Sequence, residues 1–159
     1  VQSEPLMAVA GVAAKKKDGQ TVSGDTGAWF KHDDGSLYVL LCDGMGSGPG
    51  AKQESAQAAK LLENFLRAGM AAQEAVETVS SALALRGEEA GGFTTVDLLQ
   101  VDLFTGDGVV FKLGAAPTYV RKGGTVRRIS GASLPAGLAA EERSFVFHSG
   151  KTSKNKRIV

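Results

Sequence analysis

The stretch Leu40-Leu41-Cys42-Asp43-Gly44-Met45-Gly46-Ser47-Gly48-Pro49-Gly50 governs how this chain folds. It reads as an apolar strand ending in an acidic residue, then a glycine-rich loop, then the start of a helix. The next forty residues settle the class. Ala58, Leu62, Phe65 and Leu66 recur at helical spacing with Gly69 as a stop. A second helical face, Ala72, Ala75, Val76, Val79 and Leu83, comes next and stops near Gly87. A helix leading into another helix cannot be the crossover of a βαβ unit, which must return to a parallel strand.

On either side of these helices, the remaining segments have the two-residue period of strands. Thr26 to Lys31 and Leu37 to Cys42 flank His32-Asp33-Asp34-Gly35-Ser36, and Asp-Gly between apolar runs is a strong hairpin signal. Upstream, Leu6 to Ala14 reads as a small-residue strand ending at Lys15-Lys16-Lys17-Asp18-Gly19. Downstream, strands are expected over Thr94 to Phe104, Val109 to Leu113, Thr118 to Arg121, Thr125 to Ile129 and Arg143 to Phe147. Strands, a helical pair, then strands again predict an α+β fold with an antiparallel sheet system and packed helices.

A carboxylate at a strand mouth beside glycine-freed backbone suits a hard metal ion, because side chain and carbonyl can turn toward one cation. Asp43 has a candidate partner in the Ser23-Gly24-Asp25-Thr26 turn. With a three-residue hairpin loop and Gly35 left-handed, His32 faces Ser36 and Asp25 falls opposite Asp43, Cβ atoms roughly 5 Å apart. A two-residue Asp34-Gly35 turn puts the two carboxylates on opposite faces instead. Spacing alone leaves both registers open, as it leaves open that each Asp merely caps a turn.

Rival chemistries fit worse. Gly46-Ser47-Gly48-Pro49-Gly50-Ala51 matches a dinucleotide fingerprint in letters only: no acidic residue ends a strand about 20 residues on. No Gly-Lys-Ser/Thr follows, which removes a Walker loop. His32 and His148 stand in a turn and near the chain end, without a Ser or Cys partner, and are expected on the surface. There is no Cys/His cluster for zinc, and oxygen ligands favour magnesium or manganese.

Bulk composition sets limits around this reading. The 159 residues, 43% hydrophobic and 22% charged, describe one soluble globular domain. A net charge of +1 gives no reason to expect nucleic acid or an acidic membrane surface as a partner. No apolar run approaches a membrane span and no signal-peptide pattern opens the chain, so a cytoplasmic setting is expected. Cys42 alone excludes an internal disulfide and is expected to be a buried, inert thiol.

Several motifs in order carry a resemblance. Val22-Ser23-Gly24-Asp25, Cys42-Asp43-Gly44-Met45-Gly46-Ser47-Gly48 and Glu54-Ser55 are followed by Gly92-Phe93-Thr94-Thr95-Val96-Asp97-Leu98 and Val101-Asp102-Leu103-Phe104-Thr105-Gly106. Lys112-Leu113-Gly114-Ala115-Ala116-Pro117 and Ser133-Leu134-Pro135-Ala136-Gly137 complete the set. Together they resemble the phosphatase domain of the stage II sporulation protein E family, bacterial metal-dependent protein serine/threonine phosphatases of the 2C type. The likeness runs from about Met7 to Gly150.

The resemblance implies an antiparallel β-sandwich flanked by helices and a two-metal centre of manganese or magnesium. Metal-bound water would attack a phosphoserine or phosphothreonine. Asp43 would bridge the metals, the Gly44 carbonyl would bind one of them, and Asp25 would sit beside the same centre. Asp25 and Asp43 are thus the expected catalytic residues. The implied substrate is a phosphorylated anti-sigma factor antagonist, and the implied setting extends to the cytosolic module of a membrane-anchored protein.

The match breaks at the C-terminal end. After Ser149-Gly150, where the family continues with Asp into a buried strand, this chain has Lys151 and a basic run to Val159. Residues 1–150 are therefore expected as a C-terminally incomplete phosphatase-like domain and 151–159 as a flexible basic tail. One metal or none is expected on the remaining ligands. The alternative function is a catalytically incomplete phosphatase fold serving as a protein-interaction module. A sheet edge left open would favour a homodimer.

Overall fold

The computed structural model describes residues 3–86, 93–131, 133–138, 143–147 and 156–158. Gly87, His148 and Lys151 lie outside them. Two strands, β1 (Asp25–Lys31) and β2 (Ser36–Asp43), precede two helices, α1 (Gly48–Arg67) and α2 (Ala72–Leu85). Six strands come after the helices: β3 (Val96–Asp102), β4 (Gly108–Leu113), β5 (Thr118–Lys122), β6 (Thr125–Ile129), β7 (Arg143–Phe147) and β8 (Lys156–Ile158). They form a five-stranded antiparallel sheet in the order β1-β2-β3-β4-β7 and a three-stranded sheet in the order β6-β5-β8. This is the expected α+β class.

Alternation along the strands sorts side chains into two layers. Phe30, Tyr38, Leu40, Cys42, Val96, Leu98, Phe111 and Leu113 face the helices, meeting Ala58, Leu62 and Leu66 of α1 and Ala75, Val76, Val79 and Leu83 of α2. That helix–sheet layer is the main core. On the other face, Val110 packs with Val120 and Ile129 of the smaller sheet, against Leu99, in a much smaller cluster. Trp29 and Leu41, on that same face, are 54% and 48% exposed. In the last turn of α1, Arg67 reaches Glu63 four residues back at 2.8 Å, as the spacing predicts, and lies over the Phe30 ring at 4.2 Å.

Two segments differ from the sequence expectation. Leu6 to Ala14 forms no strand: it joins neither described sheet, and without a backbone ladder to a partner a segment is not a strand. The segment instead lies along β1, with Glu4 paired to Lys31 at 2.7 Å and Val12 against Gly27, while Met7 and Val9 stay exposed. At the other end, the run expected as a flexible tail contains β8, which pairs with β5 at Val120, Arg121 and Lys122. β5 has a second edge opposite β6, and its backbone groups on that side take up the strand.

Candidate metal centre

The β1–β2 hairpin fixes the site. The His32 amide donates to the Ser36 carbonyl at 2.8 Å, the Gly35 amide donates to the His32 carbonyl at 3.1 Å, and Gly35 has φ 85°. A left-handed residue closing a three-residue loop is glycine's role here, and a Cβ would also run into the Phe104 ring. Asp34 closes the turn by accepting the Ser36 amide at 2.7 Å. The loop is the three-residue type, and its register pairs Asp25 directly with Asp43. His32, expected on the surface, is half-buried against Asp34 at 3.2 Å.

The two carboxylates share one face at the open end of the hairpin. Their closeness has an electrostatic signature. The Asp43 carboxyl is held above the usual aspartate range, first by burial, then by its hydrogen bond to Asp25 and by the Asp25 charge. Ser23 orients the partner, donating its hydroxyl to Asp25 Oδ2 at 3.0 Å. The Asp43 amide donates to the Thr95 hydroxyl at 3.1 Å, and the Asp43 carbonyl accepts from the Thr95 amide at 2.9 Å and the Thr94 hydroxyl at 3.0 Å. Both ends of Asp43's backbone are thereby tied to the start of β3.

Helix α1 grips the same strand end. Lys52 Nζ donates to the Asp25 carbonyl at 2.7 Å and the Thr26 hydroxyl at 3.0 Å. Ser55, fully buried, donates to the Gly24 carbonyl at 2.5 Å and lies 2.8 Å from the Thr26 hydroxyl. The approach is close because Gly24 and Gly44 flank Ala51, and a Cβ on Gly44 would land on the Ala51 carbonyl oxygen. Gly48, at φ 76°, also needs glycine, whereas Gly50 has open space around it.

Two clefts meet at Asp43. One, of about 150 Å³, is lined by Asp25 and Asp43 together with Lys15, Lys17, Ser23 and Ser47, among others. The other, of about 180 Å³, holds Gly44, Met45, Phe93, Thr94 and Pro135 beside Asp43. Both are below the roughly 300–1,000 Å³ of pockets that bury a drug-sized ligand, which argues against a dinucleotide. The structure thus brings the two predicted carboxylates together and sets the Gly44 carbonyl oxygen beside Gly24, the residue before Asp25. Gly44 is buried, and among the described residues no donor reaches its carbonyl. Two opposed carboxylates and a free buried carbonyl fit a hard divalent cation, with most of an octahedral shell left to water. Among the described residues no third His, Cys, Asp or Glu joins them.

Behind the site, Lys112 of β4 is fully buried. Its ammonium donates to Asp97 Oδ2 at 2.7 Å and to the Thr118 hydroxyl at 2.8 Å, and that hydroxyl donates to the same Asp97 oxygen at 2.7 Å. This network joins the two sheets. Sequence reasoning missed it, although Asp97 and Lys112 sit inside the Gly92–Leu98 and Lys112–Pro117 motifs. It missed Lys52 as well, whose only signal is its place one turn into the helix after the glycine loop. Cys42 is buried, its thiol pushed up to about 12 by burial and by the nearby Asp97.

The family description Stage II sporulation protein E (SpoIIE) matches residues 33–157. The chain belongs to the SpoIIE family. It is 33% identical over 131 residues to the stage II sporulation protein E of Priestia megaterium, covering 82% of this chain and 22% of that relative. The chain therefore spans under a quarter of that protein's length. Among solved structures it is similar to the PP2C phosphatase domain of SpoIIE from Bacillus subtilis, solved with a fragment of the regulatory domain. There the TM-score is 0.74 and the identity 31%, over 84% of this chain and 39% of that one. RsbX in complex with magnesium shares the fold, with a TM-score of 0.70 and 20% identity over 84% of this chain and 64% of that one. No helix among the described residues is long and apolar enough to cross a membrane.

Proposed function

We propose that this SpoIIE-family chain is part of a metal-dependent protein serine/threonine phosphatase domain, with Asp25, Asp43 and the Gly44 carbonyl holding manganese or magnesium. The observation that carries this reading is the Asp25–Asp43 pairing, in which two carboxylates are pressed together at a solvent-open rim. Among the described residues, no cationic side chain forms an ion pair with either of them. Isolated, that arrangement costs free energy; a divalent ion removes the repulsion. When bound, such an ion lowers the pKa of a water and offsets charge on a phosphoryl group. The chain's own part is positional. Ser23 aims Asp25, Lys52 and Ser55 hold the backbone on either side of it, and Thr94 and Thr95 hold Asp43.

The substrate we infer from family membership is a phosphoserine- or phosphothreonine-bearing protein, an anti-sigma factor antagonist. The setting is the cytosolic module of a larger, membrane-anchored protein, and a second copy of the chain is a further partner.

The test is manganese-dependent hydrolysis of p-nitrophenyl phosphate, alongside manganese binding measured by electron paramagnetic resonance. Turnover and binding that both disappear in Asp43→Asn are the expected result; wild-type levels of both in that variant overturn the assignment. A second reading, a phosphatase fold acting only as a protein-interaction module, is favoured by the lack of a third acidic ligand among the described residues. Metal binding without turnover would select it.

A further inference from the structure

Three consecutive lysines, Lys15, Lys16 and Lys17, precede β1 and play no part in holding the carboxylate pair. The cleft that holds Asp25 and Asp43 is also lined by Lys15 and Lys17, but not by Lys16. That is the alternation of extended chain, in which residues two apart point the same way. The segment is fixed at both ends. Val12 packs against Gly27 of β1, and the Gln20 amide donates to the Lys17 carbonyl at 3.0 Å across a turn whose Gly19 has φ 79°. Beyond the turn, the Gln20 side chain rests against Gly48 of the metal loop.

The other lysines near the site are committed. Lys52 is engaged by the Asp25 carbonyl and Thr26, and Lys112 by Asp97 and Thr118. Lys31 and Lys60 pair with Glu4 and Glu63. Among the described residues, Lys15 and Lys17 have no ion pair, and neither closes onto Asp25 or Asp43. Lys15 and Lys17 therefore share an open cleft of about 150 Å³ with the two carboxylates, without closing onto them. A cation held by the carboxylates makes that cleft positive, and a phosphoryl dianion is the ligand that such a cleft suits. Lysine serves phosphate as a compact, rotatable point charge.

We propose that Lys15 and Lys17 are phosphate-binding residues, donating to the phosphoryl oxygens of the substrate in the cleft they share with Asp25 and Asp43. This role rests on the metal-centre reading and adds to it a second, cationic half of the site. Because the contact is to the phosphoryl group, it acts on any phosphomonoester and on inorganic phosphate alike, whatever the protein that carries it.

The experiment is calorimetric titration of inorganic phosphate into the chain, with and without saturating magnesium, for wild type, Lys15→Gln, Lys17→Gln and Lys16→Gln. All three changes remove one charge from the same exposed segment. The expected result is a dissociation constant raised about tenfold in Lys15→Gln and in Lys17→Gln, as for loss of a charge-assisted hydrogen bond, and within about twofold of wild type in Lys16→Gln. Equal losses in all three would reduce the effect to general charge and overturn the proposal. So would unchanged affinity in the first two, or no phosphate binding by wild type in either condition. Magnesium titration of the same proteins separates this from the metal reading. Magnesium bound normally by lysine variants with unaltered phosphate affinity defeats the lysines alone; wild type that binds phosphate but no magnesium defeats the metal centre alone.

Discussion

The two faces of the five-stranded sheet do different work. Toward the helices, Leu40, Cys42, Val96, Leu98 and Leu113 meet Leu62, Val76 and Val79 in a dry layer of apolar side chains, each almost fully buried. On the opposite face Val110, Leu99 and Lys112 meet the smaller sheet, while Trp29 and Leu41 remain half exposed. The ionisable groups of the carboxylate rim and the inter-sheet network, Asp25, Asp43, Asp97 and Lys112, project from that second face. Close packing is incompatible with a site that must admit a cation and a substrate. One face therefore carries stability, and the other keeps its polar groups accessible at the rim and paired in the interior.

Lys112 is the hardest test of that division, because it lies on the open side yet is completely buried. Lys112→Ala leaves Asp97 without its cation and is expected to destabilise the chain by about 4 kcal/mol in urea unfolding, as for breaking a buried ion pair. The double change Lys112→Met with Asp97→Leu should recover most of that loss. Failure to recover would mean the network does more than join the sheets.

Leu62→Ala probes the same contrast from the dry side. It should cost about 3 kcal/mol by cavity formation, while the folded fraction keeps its manganese affinity. A parallel loss of affinity would show that the helix layer and the carboxylate rim are not separable.

The smallest effect on stability is expected at the rim itself. Asp43 has its folded pKa raised, so between its unfolded and folded values the native state holds more protons than the unfolded chain. Stability of the metal-free chain must then fall as pH rises through that window, which opens at the ordinary aspartate value and extends above it. Asp43→Asn removes this dependence and should stabilise the metal-free chain at neutral pH by only a few tenths of a kcal/mol, since the group is solvent-screened. Thermal melts from acid to neutral pH, without metal, read both. A destabilised variant with an unchanged pH profile would contradict the idea that the two carboxylates strain each other.

Much of this was legible in the chain of residues alone. His32-Asp33-Asp34-Gly35-Ser36 marks a hairpin and admits two loop lengths; once the three-residue loop is chosen, the pairing of Asp25 with Asp43 is arithmetic along two strands. The helix pair was legible for the same reason, since Leu62 and Leu66, or Val76 and Val79, repeat within a turn of one another. These features depend on interactions between near neighbours in the chain, and near neighbours are what a sequence displays.

Tertiary contacts set everything that depends on distant partners. Leu6 to Ala14 has the composition of a strand, but a strand needs a backbone ladder, and the segment packs against β1 by side chains without joining either described sheet. Lys156–Ile158 looks like a polar tail and is a strand because β5 offers it an edge. Lys52 reaches Asp25 across 27 residues, and Lys15 and Lys17 come to line one cleft with Asp43 through the fold of the chain around the hairpin. Spacing offered two registers, and the folded hairpin took the one that sets the two carboxylates opposite each other; three-dimensional packing then chose which cations stand near them and which of those remain unpaired.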